Sequence, residues 1–560
     1  MLLDCGRWQV LAVPVLVAEG REWTLPDPQA TVSAPLGDTR SERASWTGRL
    51  RLVLDAEPVR QGWRLSVRVE ALRPLTVDRI GVRLTVGDAA RVLVDGYHSW
   101  DWAGTRDATV PGSGWWSAMA GRPGDSSWLR LGLSAQAAAG ALAISWDGGG
   151  TFAVVTSGEP LQAGERTGAA RDLGVSLQAR EAFASDRIDL IDADAGATEP
   201  PGRSRVAAAP RRRRAGWMSW NCLGAAVGIS DVLDARDLLP AGGVVLVDDG
   251  WMERWGDWRE APRLGASMPE LAAELARTGH DLGLWLAPFL VDPDSDTALE
   301  HPDWLLRDAE GAPVLDQRPG RPQWVLDATH REVADHLRTL GVRLGAAGAR
   351  VVKPDFLYAG ALPGVRPPGW SGIRALSQGI GALTAGFRSA AGGQGQVWAC
   401  GAPGPAVAGI VDCCRSGGDA VVRVPGLETP APDPPIFVHG PAILRAQARN
   451  LAARSWLWGT TLPCDVDAVT LGRVGSTAPV DPETLEAWLR MVRRSGGPLL
   501  NSDVPSTLDP SRRARLRDEL TLPLRDPERP VDPLELSPAP AVDDDFLSWA
   551  PSLPEAWEPM

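Results

Sequence analysis

From residue 215 onward the chain repeats one rhythm: a short apolar run, a polar or glycine-bearing break, a stretch with helical periodicity, then the next apolar run. Runs this short and this apolar suit strands buried on both faces, and helices between them are the mark of a parallel sheet joined by crossovers. The runs are AGWMSW ending at Trp220, VVLVDDG at 244–250, LGLWLAP at 282–288, RVVKPDF at 350–356, QVWACGAP at 396–403, IVDCCRSGGD at 410–419, LWGTTLPCDVD at 457–467 and GGPLLNSD at 496–503. Eight is the number that closes a (β/α)8 TIM barrel. Helices are predicted at Ser230–Leu239, Met268–His280, His330–Ala346, Ile373–Arg388, Pro441–Arg454 and Pro482–Arg494, with a very short fifth crossover.

Residues 1–205 read differently. Leu50, Leu52 and Leu54 alternate with other positions, as do Trp63, Leu65, Val67 and Val69, then Val82, Leu84 and Val86. Period-two runs punctuated by Gly and Pro predict an N-terminal antiparallel β-sandwich domain. Within it, DGYHSWDWAG at 95–104 crowds aromatic side chains into a glycine-flanked turn, which suits either sandwich core or stacking on the apolar face of a sugar. Residues 206–214, with the Arg211–Arg214 run, are read as an exposed Arg-rich linker, 215–505 as the barrel, and 506–560 as a short C-terminal segment whose Pro-rich, acidic tail begins near 528.

A chain of 560 residues exceeds the usual ~100–200 per domain several times, so two or three domains are expected. The formal net charge of −13 disfavours a nucleic-acid partner and suits a small neutral ligand. The six cysteines form no C-x-x-C pair and the six histidines show no ligand spacing, so neither disulfides nor a metal or other cofactor is implied. The N-terminus lacks a basic leader and reads as a strand, and no apolar run reaches the ~18 residues of a membrane helix; a cytoplasmic protein is expected.

In a barrel of this kind the active site lies where the strands end. Those ends carry Asp248 and Asp249, Trp285, Lys353 and Asp355, Cys400, Arg415 and Asp419, and Asp467. In a strand, residues two apart share a face, so Lys353 and Asp355 point the same way and the ammonium can hold the acid ionised. An ordinary ion pair is the alternative for one K-x-D alone; acids at four strand ends argue for a polar pocket. Two acids on different strands can supply nucleophile and general acid for glycoside hydrolysis, with carboxyls ~5–5.5 Å apart for retention and ~6.5–9.5 Å for inversion.

The succession GWMSWN (216–221), VDDGW (247–251), GDW (256–258), GLWLAPF (283–289), HPDWLL (301–306), KPDFLYAGALPG (353–364), CGAPGPAVAGIVDCCRSGGD (400–419) and SGGPLL (495–500) resembles the α-galactosidases of glycoside hydrolase family 36, the melibiase type. The resemblance covers roughly residues 210–505. It implies Asp355 as nucleophile and Asp419 as acid/base, Asp248 and Asp249 on the 4- and 6-hydroxyls of galactose, and Lys353, Arg415 and Cys400 on other parts of the ring. Trp220 and Trp285 match pocket aromatics, Trp100 in DGYHSW a wall lent by the sandwich, and Asp467 a seventh-strand acid. Three departures accompany it: Pro354 beside the nucleophile predicts a bulge in the fourth strand, two glycines precede Asp419, and the C-terminal β-domain looks truncated. The expectation is a retaining exo-α-galactosidase acting on small oligosaccharides, with homo-oligomer formation left open. The alternatives are a related α-glycosidase or transglycosylase, such as an α-N-acetylgalactosaminidase, and a non-catalytic galactoside-binding protein of the same fold.

Overall fold

The computed structural model describes residues 1–522 apart from 24–40, 47–49, 60, 88, 134–139, 159–172, 174, 195–212, 317–321, 394, 421, 424–436, 439–440, 459–461 and 473–480. Residues 206–212 of the expected linker, most of the segment after Asp419 and the expected tail lie outside the described residues.

The alternating runs of the early chain form one antiparallel ladder of sixteen strands. Its path runs from Leu2–Cys5 and Trp8–Ala18 through Leu75–Val86, Thr151–Ser157, Ala141–Trp146, Gly112–Gly121, Ser127–Leu133, Ile188–Asp194 and Gly62–Ala71 to Leu50–Val59 and Ser41–Trp46. The ladder curls until its ends face each other, Trp8–Ala18 against Leu50–Val59. The inward set, Leu52, Leu54, Leu65, Val67, Val82 and Leu84, is fully buried between them, as the period-two pattern requires.

The eight apolar runs become eight parallel strands: β1 (Ala215–Met218), β2 (Val244–Val247), β3 (Asp281–Leu286), β4 (Ala349–Pro354), β5 (Gln396–Ala399), β6 (Cys413–Arg415), β7 (Cys464–Asp465) and β8 (Leu499–Asn501). Each pairs with the next, β8 pairs with β1, and single parallel bridges Cys464–Gly496 and Val469–Asn501 close the ring between β7 and β8. Outside run α1 (Ile229–Arg236), α2 (Met268–Arg277), α3 (Arg331–Ala346), α4 (Gly372–Ala390), the four-residue α5 (Gly404–Val407), α6 (Pro441–Leu457), α7 (Pro482–Arg494) and α8 (Pro510–Thr521). Ser267 caps α2 and accepts from the Glu270 amide, and Asp481 caps α7 likewise on Thr484.

Alternation along the strands sorts side chains between two environments. Val245, Val247 and Val352 join the large core under the helices, while Met218, Val244, Leu246, Val351, Trp398, Cys413, Ala468 and Leu500 pack together as a separate apolar plug. Gly283 belongs on this inner face, because a Cβ there would come within 2.7 Å of Leu246 Cδ1. Two residues further along the same rows stand Asp248, Lys353 and Arg415, so the pattern that fills the barrel also aims these charges along its axis.

Several expectations change. β1 ends at Met218 and Trp220 opens a short helical turn, Trp220–Leu223. β6 and β7 are far shorter than 410–419 and 457–467, and Leu457 closes α6 instead of opening a strand. The irregularity in β4 lies at its start, between the pairs Leu282–Ala349 and Gly283–Val351, and not at Pro354. Pro354 needs no donor there: its carbonyl accepts from the Cys400 amide at 2.9 Å, and the next amide, Asp355, bonds Leu286 O at 2.8 Å. Arg213 and Arg214 are anchored and not solvated, Arg213 on the carbonyls of Val492, Arg493 and Gly497, Arg214 on Asp281. The helix α8 was not foreseen; it buries Leu516 and Leu520 and pairs Glu519 with Arg493 of α7.

Candidate active site

The end of β4 carries Lys353 and Asp355 on the face predicted, but the lysine's shorter partner is on β2. Lys353 Nζ lies 2.8 Å from Asp248 Oδ2, 3.5 Å from Met218 Sδ and 3.9 Å from Asp355 Oδ2. Burial works against both members of the closer pair and lifts the Asp248 carboxyl above its ordinary range. Burial also opposes the charge on Lys353, yet Asp248 and Asp355 together outweigh it and hold the ammonium protonated beyond its usual range. Asp355 is nearly buried, and both its oxygens face donors: Trp285 Nε1 reaches Oδ2 at 3.0 Å and the Phe356 amide reaches Oδ1 at 2.6 Å. That amide is turned inward by a left-handed Phe356, at φ 52°, a conformation bulky residues rarely adopt.

Asp249 sits beside this pair. Its amide donates to Asp248 Oδ1 at 2.9 Å and its Oδ1 accepts from Trp255 Nε1 at 3.1 Å. Trp255 lies 5.1 Å from Trp285 and stacks at 5.8 Å on Phe356, centroid to centroid. Phe356 is met edge-on by Trp100 of the sandwich at 5.3 Å, and Tyr358 stacks on His98 at 5.5 Å. The Ser99 amide donates to Ala402 O at 2.8 Å, so the aromatic turn of the N-terminal sheet is fixed to the loops above β4 and β5. Tyr97 goes the other way into the sandwich core, and Trp102 lies between the guanidinium of Arg106 at 3.9 Å and that of Arg449 on α6 at 5.4 Å. Only part of DGYHSWDWAG therefore faces the barrel.

A second charged cluster forms over β6 and β7. The fully buried Arg415 reaches Asp467 at 2.8 Å, Asp465 at 3.2 Å and Asp419 at 3.2 Å. Burial opposes its charge, but the surrounding acids raise its pKa well above the ordinary value. Asp467, at φ 70°, accepts the Ala420 amide on Oδ2 at 2.7 Å and so fastens the chain just past Asp419. Asp419 keeps 44% of its side chain accessible. Even so, the barrel wall around it, with Asp467 and the charge of Asp355, lifts its pKa to about 7 against the pull of Arg415 and Lys353. Cys400, buried between the clusters, has its thiol pushed well above the ordinary value by burial and by the Asp355 charge. Trp220 packs half-buried on the apolar plug.

The predicted residues thus fall into two linked groups: Asp248, Asp249, Trp285, Lys353 and Asp355 on one side, Arg415, Asp419 and Asp467 on the other. Cys400 stands between them, and Trp100 enters from the sandwich. Sequence reasoning missed Trp255, Phe356 and Asp465. Trp255 was findable in WMERWGDW, which follows the second strand end, and Asp465 lies two residues before Asp467 in CDVD. Among the described residues no group of three or more His, Cys, Asp or Glu could hold a metal ion.

Residues 233–356, which include Asp248, Asp249, Trp285, Lys353 and Asp355, match the family model described as Melibiase. The bifunctional α-galactosidase/sucrose kinase AgaSK of Mediterraneibacter gnavus is 34% identical over 100 residues, which is 16% of this chain and 10% of that protein. The curated relatives matched align over only 10–16% of their own length. Among solved structures, the α-galactosidase TtGalA of Thermus thermophilus, in complex with p-nitrophenyl α-D-galactopyranoside, aligns with a TM-score of 0.60 and 25% identity over 86% of this chain and 95% of that one. AgaA of Geobacillus stearothermophilus, a family 36 α-galactosidase, aligns over 93% of this chain and 74% of its own at a TM-score of 0.60, and at 15% identity this likeness concerns the fold. The sandwich-fronted barrel with acids at its strand ends is thus similar in fold to glycoside hydrolases. The melibiase match and these neighbours agree on one likeness, to the family 36, melibiase-type α-galactosidases.

Proposed function

We propose that the chain is a retaining exo-α-galactosidase in which Asp355 is the nucleophile and Asp419 the acid/base. The observation that carries this reading is the contrast between the two carboxyls: Asp355 is ringed by donors, whereas Asp419 has its pKa lifted to about 7. A nucleophile must be ionised, and a general acid must carry a proton at working pH. Asp355 attacks the anomeric carbon as the Asp419 proton passes to the departing glycosidic oxygen; Asp419, now ionised, takes a proton from water that cleaves the galactosyl–aspartate ester. Two displacements give net retention. Asp248 and Asp249 accept from the 4- and 6-hydroxyls, Lys353, Arg415 and Cys400 contact the rest of the ring, and Trp220, Trp285 and Trp100 wall the pocket. Asp467 orients Arg415 and the turn after Asp419.

In this reading residues 1–205 are the sandwich domain and 215–505 the catalytic unit, and the substrate is a small oligosaccharide ending in α-galactose. No helix among the described residues is long and apolar enough to cross a membrane, and a cytoplasmic site of action is part of the proposal. The test is kcat/KM on p-nitrophenyl α-galactoside, α-glucoside and α-N-acetylgalactosaminide, for the native chain and for Asp249→Asn. A site built to bond an axial 4-hydroxyl can reject its epimer by ~10⁴–10⁵, and losing the Asp249 charge should weaken galactoside turnover without unfolding the protein. Comparable rates on glucoside and galactoside would remove the galactose assignment. A preference for the acetamido sugar would move it to the N-acetylgalactosaminidases, and binding without turnover to a lectin-like role.

A further inference from the structure

Helix α6 presents three buried polar side chains at positions 447, 450 and 454, spacing that puts them along one side of a helix. Arg454, wholly buried, has five acceptors: Asp95 Oδ1 at 2.9 Å, and the carbonyls of Ser99 at 2.6 Å, Ser416 at 2.7 Å, His98 at 3.1 Å and Asp101 at 3.1 Å. Four of these belong to the aromatic turn of the sandwich and one to the residue after Arg415. Asn450 continues the seam, accepting the Ala103 amide at 3.0 Å and donating to Asp101 O at 3.2 Å. One turn earlier, Gln447 donates to the carbonyl of Gly418, the residue before Asp419. The approach is close enough that a Cβ on Gly417 would lie 2.1 Å from Gln447 Oε1. This accounts for one of the two glycines before Asp419: Gly417 makes room for the glutamine, whereas a Cβ on Gly418 would meet open space.

We propose that this buried polar face of α6 positions the acid/base: Gln447 and Arg454 hold the Ser416–Asp419 turn in fixed relation to the Trp100 turn of the sandwich. The inference rests on Asp419 being the acid/base. An interface that only held two domains together would satisfy its polar groups between the domains; here the same side reaches past the sandwich to the two carbonyls that bracket Gly417. Asp419 itself touches neither Gln447 nor Arg454 through its carboxyl, so these are positioning residues and not catalytic ones.

The kinetic signature is leaving-group dependence. A misplaced general acid slows departure of an alkoxide, which needs the proton as the C–O bond breaks, and hardly affects a dinitrophenolate, which leaves unaided. Gln447→Met, which keeps the volume but not the donor, should lower kcat/KM on methyl α-galactoside by ~10–100-fold, the scale of misplacements near 1 Å. On 2,4-dinitrophenyl α-galactoside the loss should stay within a few-fold. Gly417→Ala should show the same split, since its methyl pushes on Gln447, and the double variant Gly417→Ala/Gln447→Ala should be no worse than Gln447→Ala alone, because the two changes act on one contact. Equal losses on both glycosides, no loss, or losses that multiply in the double variant would overturn the positioning role. If the native chain cleaves neither glycoside, the α-galactosidase reading fails first, a result distinct from any of these.

Discussion

The strands β4 and β6 are each followed by one carboxylate, Asp355 and Asp419, close enough to influence each other's charge, and the barrel treats them in opposite ways. Asp355 is nearly enclosed, with an indole, a backbone amide and, further off, an ammonium directed at its oxygens. Asp419 is 44% accessible and meets one guanidinium, itself shared with Asp465 and Asp467. Identical side chains thus meet different surroundings, and the difference resides as much in neighbours from β2, β3 and β7 as in the strands that bear them.

The largest effect expected on removing this asymmetry comes from its enclosed half. Asp355→Ala should bring turnover below detection, and added azide should restore activity as the β-galactosyl azide, entering from the face the carboxylate vacated; an α-azide product would assign the attack to another group. Asp419→Ala should cost ~10²–10⁴-fold on sugar or alkyl galactosides and leave formation of the covalent intermediate from activated aryl galactosides nearly intact. Equal losses on both would make Asp419 structural. Lys353→Met should rank next, because it leaves Asp248 buried without its cation; breaking a buried pair costs about 3–5 kcal/mol, visible as a lowered midpoint in urea, together with reduced kcat/KM. An unchanged midpoint would mean that water or another donor replaces the ammonium.

The smallest effect is the sharpest on Asp419. A general acid works while protonated, so with its pKa near 7 the rate on poor leaving groups should fall as pH rises through that value. Asp467→Asn removes a carboxylate that raises this pKa and frees Arg415 to lower it, so both changes point the same way. The alkaline limb of kcat/KM should then move to lower pH with little change in fold, and a limb that stays in place would mean another group titrates there.

Much of this was legible in the chain because strand alternation is local: once Val351 is inside, so are Lys353 and Asp355. Helix limits were equally readable where a cap stood in the sequence, as Ser267 before α2 and Asp481 before α7. What was not legible depends on partners far along the chain. That Lys353 prefers Asp248 to Asp355 is set by the lateral placement of β2 and β4, which no K-x-D spacing encodes. Trp255 reaches the pocket from a loop with no strand-like pattern. The overextended seventh strand arose at LWGTT, where a short apolar run fits helix and strand equally well and α6 in fact continues to Leu457. Nothing in the sequence marks the polar side of α6 as buried, because partners of Arg454 lie some 350 residues earlier in the sandwich.

The apolar plug of Met218, Val244, Leu246, Val351, Trp398, Cys413, Ala468 and Leu500 closes the barrel axis directly beneath the charged layer. A cleft sealed at its floor has one door. In the proposed reaction the sugar seated nearest this floor is the last to leave, so the outer product departs before galactose, and free galactose should compete with substrate whereas the detached aglycone should not.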